Sequence, residues 1–171
     1  MIIRTATEKD LDIISELEQL CFPIKEAATR EIFKQRLKYY SNHFLLLFDN
    51  GKLISFIDGF VTDIKDLTDE MYDNASMNNE NGKWQMIFGV NTLHEYRNKG
   101  YASLLIEEMI KEAKKQKRKG LVLTCKKHLI EFYSKFGFIN EGISQSTHGE
   151  VEWYQMRLTF KKKDQGLKPW S

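Results

Sequence analysis

The sequence predicts an α/β chain built on a mixed, mainly antiparallel sheet with helices on both faces. Three observations carry this. Helical and strand-length apolar segments alternate in the order β-α-α-β-β-β-α-β-α-β-β. Two short apolar runs of strand length, Trp84 to Val90 and Leu121 to Cys125, flank one long amphipathic helix. The remaining strands follow one another through short turns, which favours antiparallel pairing.

Taken in order, Ile2 to Thr7 reads as a first strand, and Thr7 or Asp10 is placed to cap a helix. Leu11, Ile14, Leu17 and Leu20 recur every three residues and are expected to face inward. Cys21-Phe22-Pro23 breaks that helix. A second one is expected over 27–40, with Ile32, Phe33 and Leu37 inward. Phe44 to Phe48 and Lys52 to Val61 form a hairpin about Asp49-Asn50-Gly51. The polar, asparagine-rich stretch from Thr62 to Gly82 is the longest irregular segment, and loops of that length are usually functional or mobile. After strand Trp84–Val90, the residues Ala102, Leu105, Ile106, Met109, Ile110 and Ala113 mark one face of a helix over 99–117. Strand Leu121–Cys125 and a short helix near 129–136 follow, closed by Gly137. A last antiparallel pair, 138–144 and 151–160, has Gly149 in its connection. Residues 1–160 form one domain, and 161–171 a frayed tail.

Composition narrows the function. A chain of 171 residues is large enough to bury about two thirds of its unfolded surface. Lys plus Arg number 26 against 24 for Asp plus Glu, a net charge of +2, which gives no mandate for nucleic acid or an anionic membrane. The basic run from Lys111 to Lys119 reads as a solvated helix end, where cations offset the dipole. Cys21 and Cys125 have no metal or disulfide spacing. No signal-like N-terminus and no long apolar run occurs, so the expectation is a cytoplasmic protein, a monomer or homodimer, without a metal.

The most informative segment runs from Val90 to Ala102. It closes a buried strand, turns, and opens the amphipathic helix through a glycine. Four unpaired N–H groups and about half a positive charge at a helix start favour an anion. Gly100 lets the backbone approach a bulky ligand, and Arg97 and Lys99 add charge. Neither GxxxxGK[ST] nor GxGxxG occurs, so this is neither a P-loop nor a Rossmann turn. It reads as a pyrophosphate cradle.

Arg97-x-x-Gly100-x-Ala102 resembles the coenzyme A pyrophosphate loop of the GNAT N-acetyltransferases, R/Q-x-x-G-x-G/A. Phe132-Tyr133-Ser134-Lys135-Phe136-Gly137-Phe138 is similar to the second half of the GNAT core. The stretch from Val122 to Phe138 is particularly similar to the arylalkylamine N-acetyltransferases of that superfamily. Cys21-Phe22-Pro23 and the strand Trp153 to Leu158 look like small bacterial GNAT proteins, so the resemblance spans Ile2 to Phe160. It implies the GNAT acyl-CoA N-acyltransferase fold. In that fold the strands before and after the long helix splay, and the pantetheine arm pairs with the exposed edge like an added strand.

The resemblance also implies acetyl-CoA (coenzyme A) as co-substrate and a small-molecule primary amine, such as an arylalkylamine, as acceptor. Phe88, Gly89, Val90, Asn91 and Thr92 would form the exposed edge, with the oxyanion donor on the backbone near Phe88 to Val90. Arg97, Asn98, Lys99, Gly100, Tyr101, Ala102 and Ser103 would hold the pyrophosphate, with Phe132 and Tyr133 beside the thiol. Tyr133 would be the acid for the departing thiolate. An alkyl ammonium of pKa ~10 must also lose a proton before it attacks. Arylalkylamine enzymes carry two histidines on the strand before the loop, where this chain has Met86 and Phe88. The base is then His148, Glu26 or water. Met86, Phe88 and Phe22 suggest a partly apolar acceptor pocket. Protein or peptide acetylation and an acyl-CoA sensor are the alternatives.

Overall fold

The computed structural model describes residues 1–146 and 150–161. His148 and Gly149, and the tail beyond Lys161, lie outside the described residues. The strands are β1 (Ile2–Thr5), β2 (Phe44–Asp49), β3 (Lys52–Asp58), β4 (Val61–Thr62), β5 (Trp84–Ile87), β6 (Gly89–Thr92), β7 (Gly120–Cys125), β8 (Ile139–Ile143) and β9 (Tyr154–Thr159). The helices are α1 (Leu11–Cys21), α2 (Arg30–Tyr40), α3 (Asp69–Asp73), α4 (Tyr101–Lys115) and α5 (Ile130–Ser134). They build two sheets, β1-β2-β3-β6 and β4-β5-β7-β9-β8. Among the described residues only β5 and β7, joined through α4, pair in parallel.

Strand β2 shows why helices cover both faces. Phe44 and Leu46 pack with α1, α2 and α3, through Ile14, Leu17, Phe33, Leu37 and Met71. Leu45 and Leu47 pack on the opposite side with Leu105, Ile106, Met109 and Ala113 of α4. A strand buried on both faces has no polar alternation, and Phe44-Leu45-Leu46-Leu47 has none. At the hairpin, Asn50 and Gly51 both take positive φ (49° and 80°), as the tight turn there requires.

Four expectations need correction. Leu20 is exposed, and Glu18 takes its place with Ile14 and Leu17 on the buried face of α1. A step of three falls short of the 3.6-residue turn, so the apolar stripe drifts off the core after three repeats. The stretch 62–82 is not irregular throughout. It contains α3 and a 3-10 turn (Ala75–Met77), and buries Leu67, Met71, Tyr72 and Ala75. Arg118 is buried rather than solvated: its Nη1 donates to the carbonyls of Glu80 (2.8 Å) and Gly82 (2.6 Å), pinning the end of that stretch. Finally, Trp84 to Thr92 is one run of chain but two strands, parted at Phe88.

That parting creates the site. Met86 N–H donates to Phe60 O and Phe88 N–H to Asp58 O, while Gly89 also stands opposite Asp58. Two residues opposite one is a β-bulge, which bends the strand and ends its pairing on the far side. Up to Ile87 the chain runs beside β7, with Ile87 opposite Leu123. From Gly89 on it belongs to the other sheet.

Candidate active site

A wedge-shaped cavity opens where β6 leaves β7. Ile87 to Val90 form one wall, Leu123 to Cys125 and Tyr133 the other. Leu93 N–H donates to Ile54 O (2.8 Å), fixing which residues of β6 bond to β3. By the alternation of an antiparallel ladder, Asn91 turns its main chain toward β3, whereas Val90 and Thr92 turn theirs toward the wedge. Thr92 O accepts from Arg97 Nε (3.0 Å) and Cys21 Sγ (3.4 Å), which leaves Val90 as the edge that faces the opening. Phe88 N–H, offered by sequence as an oxyanion donor, is bound to Asp58 O instead. Tyr133 is buried on α5, stacked edge-on against Phe132 and Phe138. Burial raises its phenol well above the ordinary tyrosine range, so it stays protonated.

The floor of the wedge is polar: Glu18, Arg36 and Tyr72 line it, and Asp58 and Asn91 back them from within the core. Glu18 and Asn91 join through Asn91 Nδ2 donating to Glu18 Oε1 (2.8 Å), and Ala28 N–H donates to Glu18 Oε2 (2.8 Å). Arg36 Nη1 donates to Asp58 Oδ2 (3.2 Å), which also accepts from Tyr40 Oη (3.1 Å). Arg36 Nη2 donates to Tyr72 O, and Tyr72 Oη shares a 2.7 Å bond with Thr124 Oγ1. Two carboxylates therefore stand with one guanidinium, all at most 6% exposed. Burial pushes the Glu18 and Asp58 carboxyls above their usual range, against the pull of Arg36. Burial likewise pushes Tyr72 up to about 12 and the Cys125 thiol up to about 11, which keeps that thiol out of nucleophilic chemistry.

The roof is the connection from α1 to α2. Phe22, Glu26 and Ala28 line the cavity there, and Trp153 lines it from before β9. Glu26 Oε1 pairs with Lys126 Nζ at 2.8 Å, and Lys25 Nζ pairs with Glu150 at 2.9 Å, tying the roof to both sides.

Beyond the wedge, α4 begins at Gly100, whose φ of +88° is left-handed and suits glycine. Its first main-chain bond is Leu104 N–H to Gly100 O, so the N–H groups of Tyr101, Ala102 and Ser103 have no partner within the helix. Asn98 also takes positive φ (62°), and Lys99 stands exposed above the Tyr96 ring. Residues 11–138 match the Acetyltransferase (GNAT) family.

The chain belongs to the GNAT acetyltransferase family.

Over 167 residues it is 25% identical to the serotonin N-acetyltransferase of Mesocricetus auratus, covering 92% of this chain and 77% of that protein. Among solved structures it resembles the GphF GNAT-like decarboxylase in complex with isobutyryl-CoA, with a TM-score of 0.80, 16% identity and coverage of 94% and 100%. It also resembles the ribosomal-protein-S18-alanine N-acetyltransferase from Escherichia coli, with a TM-score of 0.72, 19% identity and 92% coverage of each chain. The GNAT fold is thus shared across enzymes of different acceptors. The family is acyl-CoA-dependent, and the N–H groups at the start of α4 and the edge at Val90, unpaired among the described residues, fit a pyrophosphate and an extended arm.

Within this GNAT cavity the sequence-derived residues separate. Phe88, Gly89, Val90 and Tyr133 share the wedge, and Phe132 packs behind Tyr133. Glu26 lines the roof, in its pair with Lys126. Asn91 belongs to the floor rather than to the exposed edge. Met86 is fully buried in the core and lines no acceptor pocket. His94 and His128 are exposed. Sequence reasoning missed Glu18, Arg36 and Asp58. One signal was present: Glu18 lies four residues from Ile14 on an apolar helix face, where a charge is out of place.

Proposed function

We propose that the protein is an N-acetyltransferase that moves the acetyl group of acetyl-CoA to a primary amine of a small molecule, by direct attack with both substrates bound. The observation that carries this is the wedge, which has a free strand edge on one wall, a protonated tyrosine on the other, and buried acids on its floor. Asn98 to Ser103 would hold the pyrophosphate and Val90 the arm. Val90 N–H is the donor we assign to the developing oxyanion, since Phe88 N–H is already engaged. Tyr133 supplies a proton to the departing sulfur. Glu26 we assign to holding the roof, because Lys126 occupies its carboxylate. A roof tied to Lys126 through the buried Glu26, and lined by Phe22 and Trp153, favours a compact, partly aromatic amine over a peptide lying across the surface.

The test is free-thiol release from acetyl-CoA across aryl-alkyl amines, polyamines, amino acids and short peptides. Release should depend on a small primary amine. Tyr133→Phe should lower kcat by about 100-fold, within the range of general acid catalysis, and leave acetyl-CoA affinity as it was. Wild-type turnover in that variant returns Tyr133 to the core. Release with peptides alone would overturn the small-molecule reading.

A further inference from the structure

Gly89 has a second consequence besides the bulge. A methyl group placed on it would stand 3.7 Å from Asp58 Oδ1, 3.9 Å from Asn91 Oδ1 and 3.9 Å from Glu18 Oε1, with nothing nearer. Three side-chain oxygens therefore ring the space over one glycine, each from a different element: α1, β3 and β6. Two of them are orphans. Asp58 Oδ1 and Asn91 Oδ1 have no hydrogen-bond partner among the described residues, although each side chain is about 1% exposed. Leaving a buried acceptor unpaired costs about 1–3 kcal/mol, so two side by side call for an occupant that donates. Arg36 Nε in the same cluster is also unpartnered among the described residues, and with Glu18 and Asp58 set against that one guanidinium the site favours a cation. Asn91 Nδ2 is committed to Glu18, so its Oδ1 can only accept.

We infer that the space over Gly89 receives the acceptor as a primary ammonium, its three N–H donors directed at Asp58 Oδ1, Asn91 Oδ1 and Glu18 Oε1, and that Glu18 takes its first proton. This rests on the proposed amine acetylation and adds to it the seat of the nitrogen and the base. The balance is simple. The ammonium gives one proton to Glu18. The freed lone pair turns from Glu18 to the thioester carbonyl, the C–N bond forms and the C–S bond breaks, nitrogen gives its second proton to solvent, and sulfur takes the proton of Tyr133, which solvent replaces. The net release is the single proton held on Glu18, whose raised affinity for it suits the task. A secondary ammonium has two donors and an extra methyl, so it leaves one oxygen unpaired and crowds the niche.

The decisive experiment compares wild type, Glu18→Gln and Gly89→Ala with 2-phenylethylamine, tryptamine, putrescine and their N-methyl derivatives. Acetyl-CoA affinity is measured in parallel by calorimetry. Glu18→Gln keeps the Ala28 bond through its carbonyl and should lose about 100-fold or more in kcat/KM near neutral pH. Its deficit should shrink as pH rises toward the amine's own pKa, ~10, because solvent then supplies free amine. The titratable groups acting on Glu18 are Arg36 and Tyr40 of α2, Asp58 of β3 and Cys21 on its own helix, and Tyr72, Glu26, Cys125 and Tyr133 line the same cavity. Gly89→Ala keeps every charge and should raise the amine KM at least 10-fold. Wild type should reject the N-methyl amines. Either variant at wild-type kcat/KM, equal use of N-methyl amines, or a parallel loss of acetyl-CoA affinity overturns the niche. No amine-dependent turnover by wild type overturns the proposed function itself.

Discussion

Gly100 and Asp58 illustrate how unequal single positions are. A side chain at a φ of +88° costs about 1–2 kcal/mol, so Gly100→Ala should lower stability by that much. Gly100→Asp adds a carboxylate among the N–H groups that open α4, and coenzyme A affinity in calorimetry should fall. An unchanged value would remove the loop from the pyrophosphate site. Asp58 is a larger matter. Its partner Arg36 is 4% exposed, and removing one member of a buried pair typically costs about 3–5 kcal/mol because the other charge stays behind. Arg30 also pairs with an acid, Asp12, at 2.9 Å, but their side chains are 58% and 72% exposed, and such pairs contribute about 0–1 kcal/mol. Denaturation midpoints should therefore drop far more for Asp58→Ala than for Arg30→Ala.

At the scale of elements, what the sequence revealed depended on whether a neighbour was local. Helix α4 was legible because Leu105, Ile106, Met109 and Ala113 repeat with its own period. The hairpin was legible because Asn50-Gly51 states its turn. The stretch 62–82 was not, since its buried Leu67, Met71 and Tyr72 are scattered among polar residues and pack on distant helices. Its far end depends on Arg118, which donates to two of its carbonyls. Arg118→Ala should cost about 1–3 kcal/mol. It should raise amide exchange over residues 79–83 while leaving β2 and β3 protected. A uniform rise across the sheets would mean that this stretch does not open by itself. The break at Phe88 left one mark that went unread: Gly89 interrupts the run, and a glycine inside a strand pattern often signals a bulge.

For the molecule as a whole, the order of elements was enough to place helices on both faces, but the floor of the wedge gathers Glu18, Arg36, Asp58 and Asn91 from four elements that no local motif connects. Whole-chain stability should also carry a signature of His43, far from that floor. Burial lowers its pKa, against the pull of Glu80 at 3.0 Å and together with the repulsion of Arg118. The unfolded chain then binds the proton more readily, so this contribution is complete above the ordinary histidine value of about 6.5 and is lost as pH falls through the lower folded value. Between about pH 7 and 5, wild type should lose more stability than His43→Asn, read from urea midpoints. Parallel curves would count against it. One last consequence belongs to the strand shared by the two sheets. Its two halves are out of step by a single residue, so the cavity is a surplus of one amino acid in an otherwise continuous ribbon. A chain shortened by Phe88 would bring the halves into step along β3, and would lose with the bend the ring that packs on Phe60, Tyr72 and Arg36: the opening and part of the core come from the same residue.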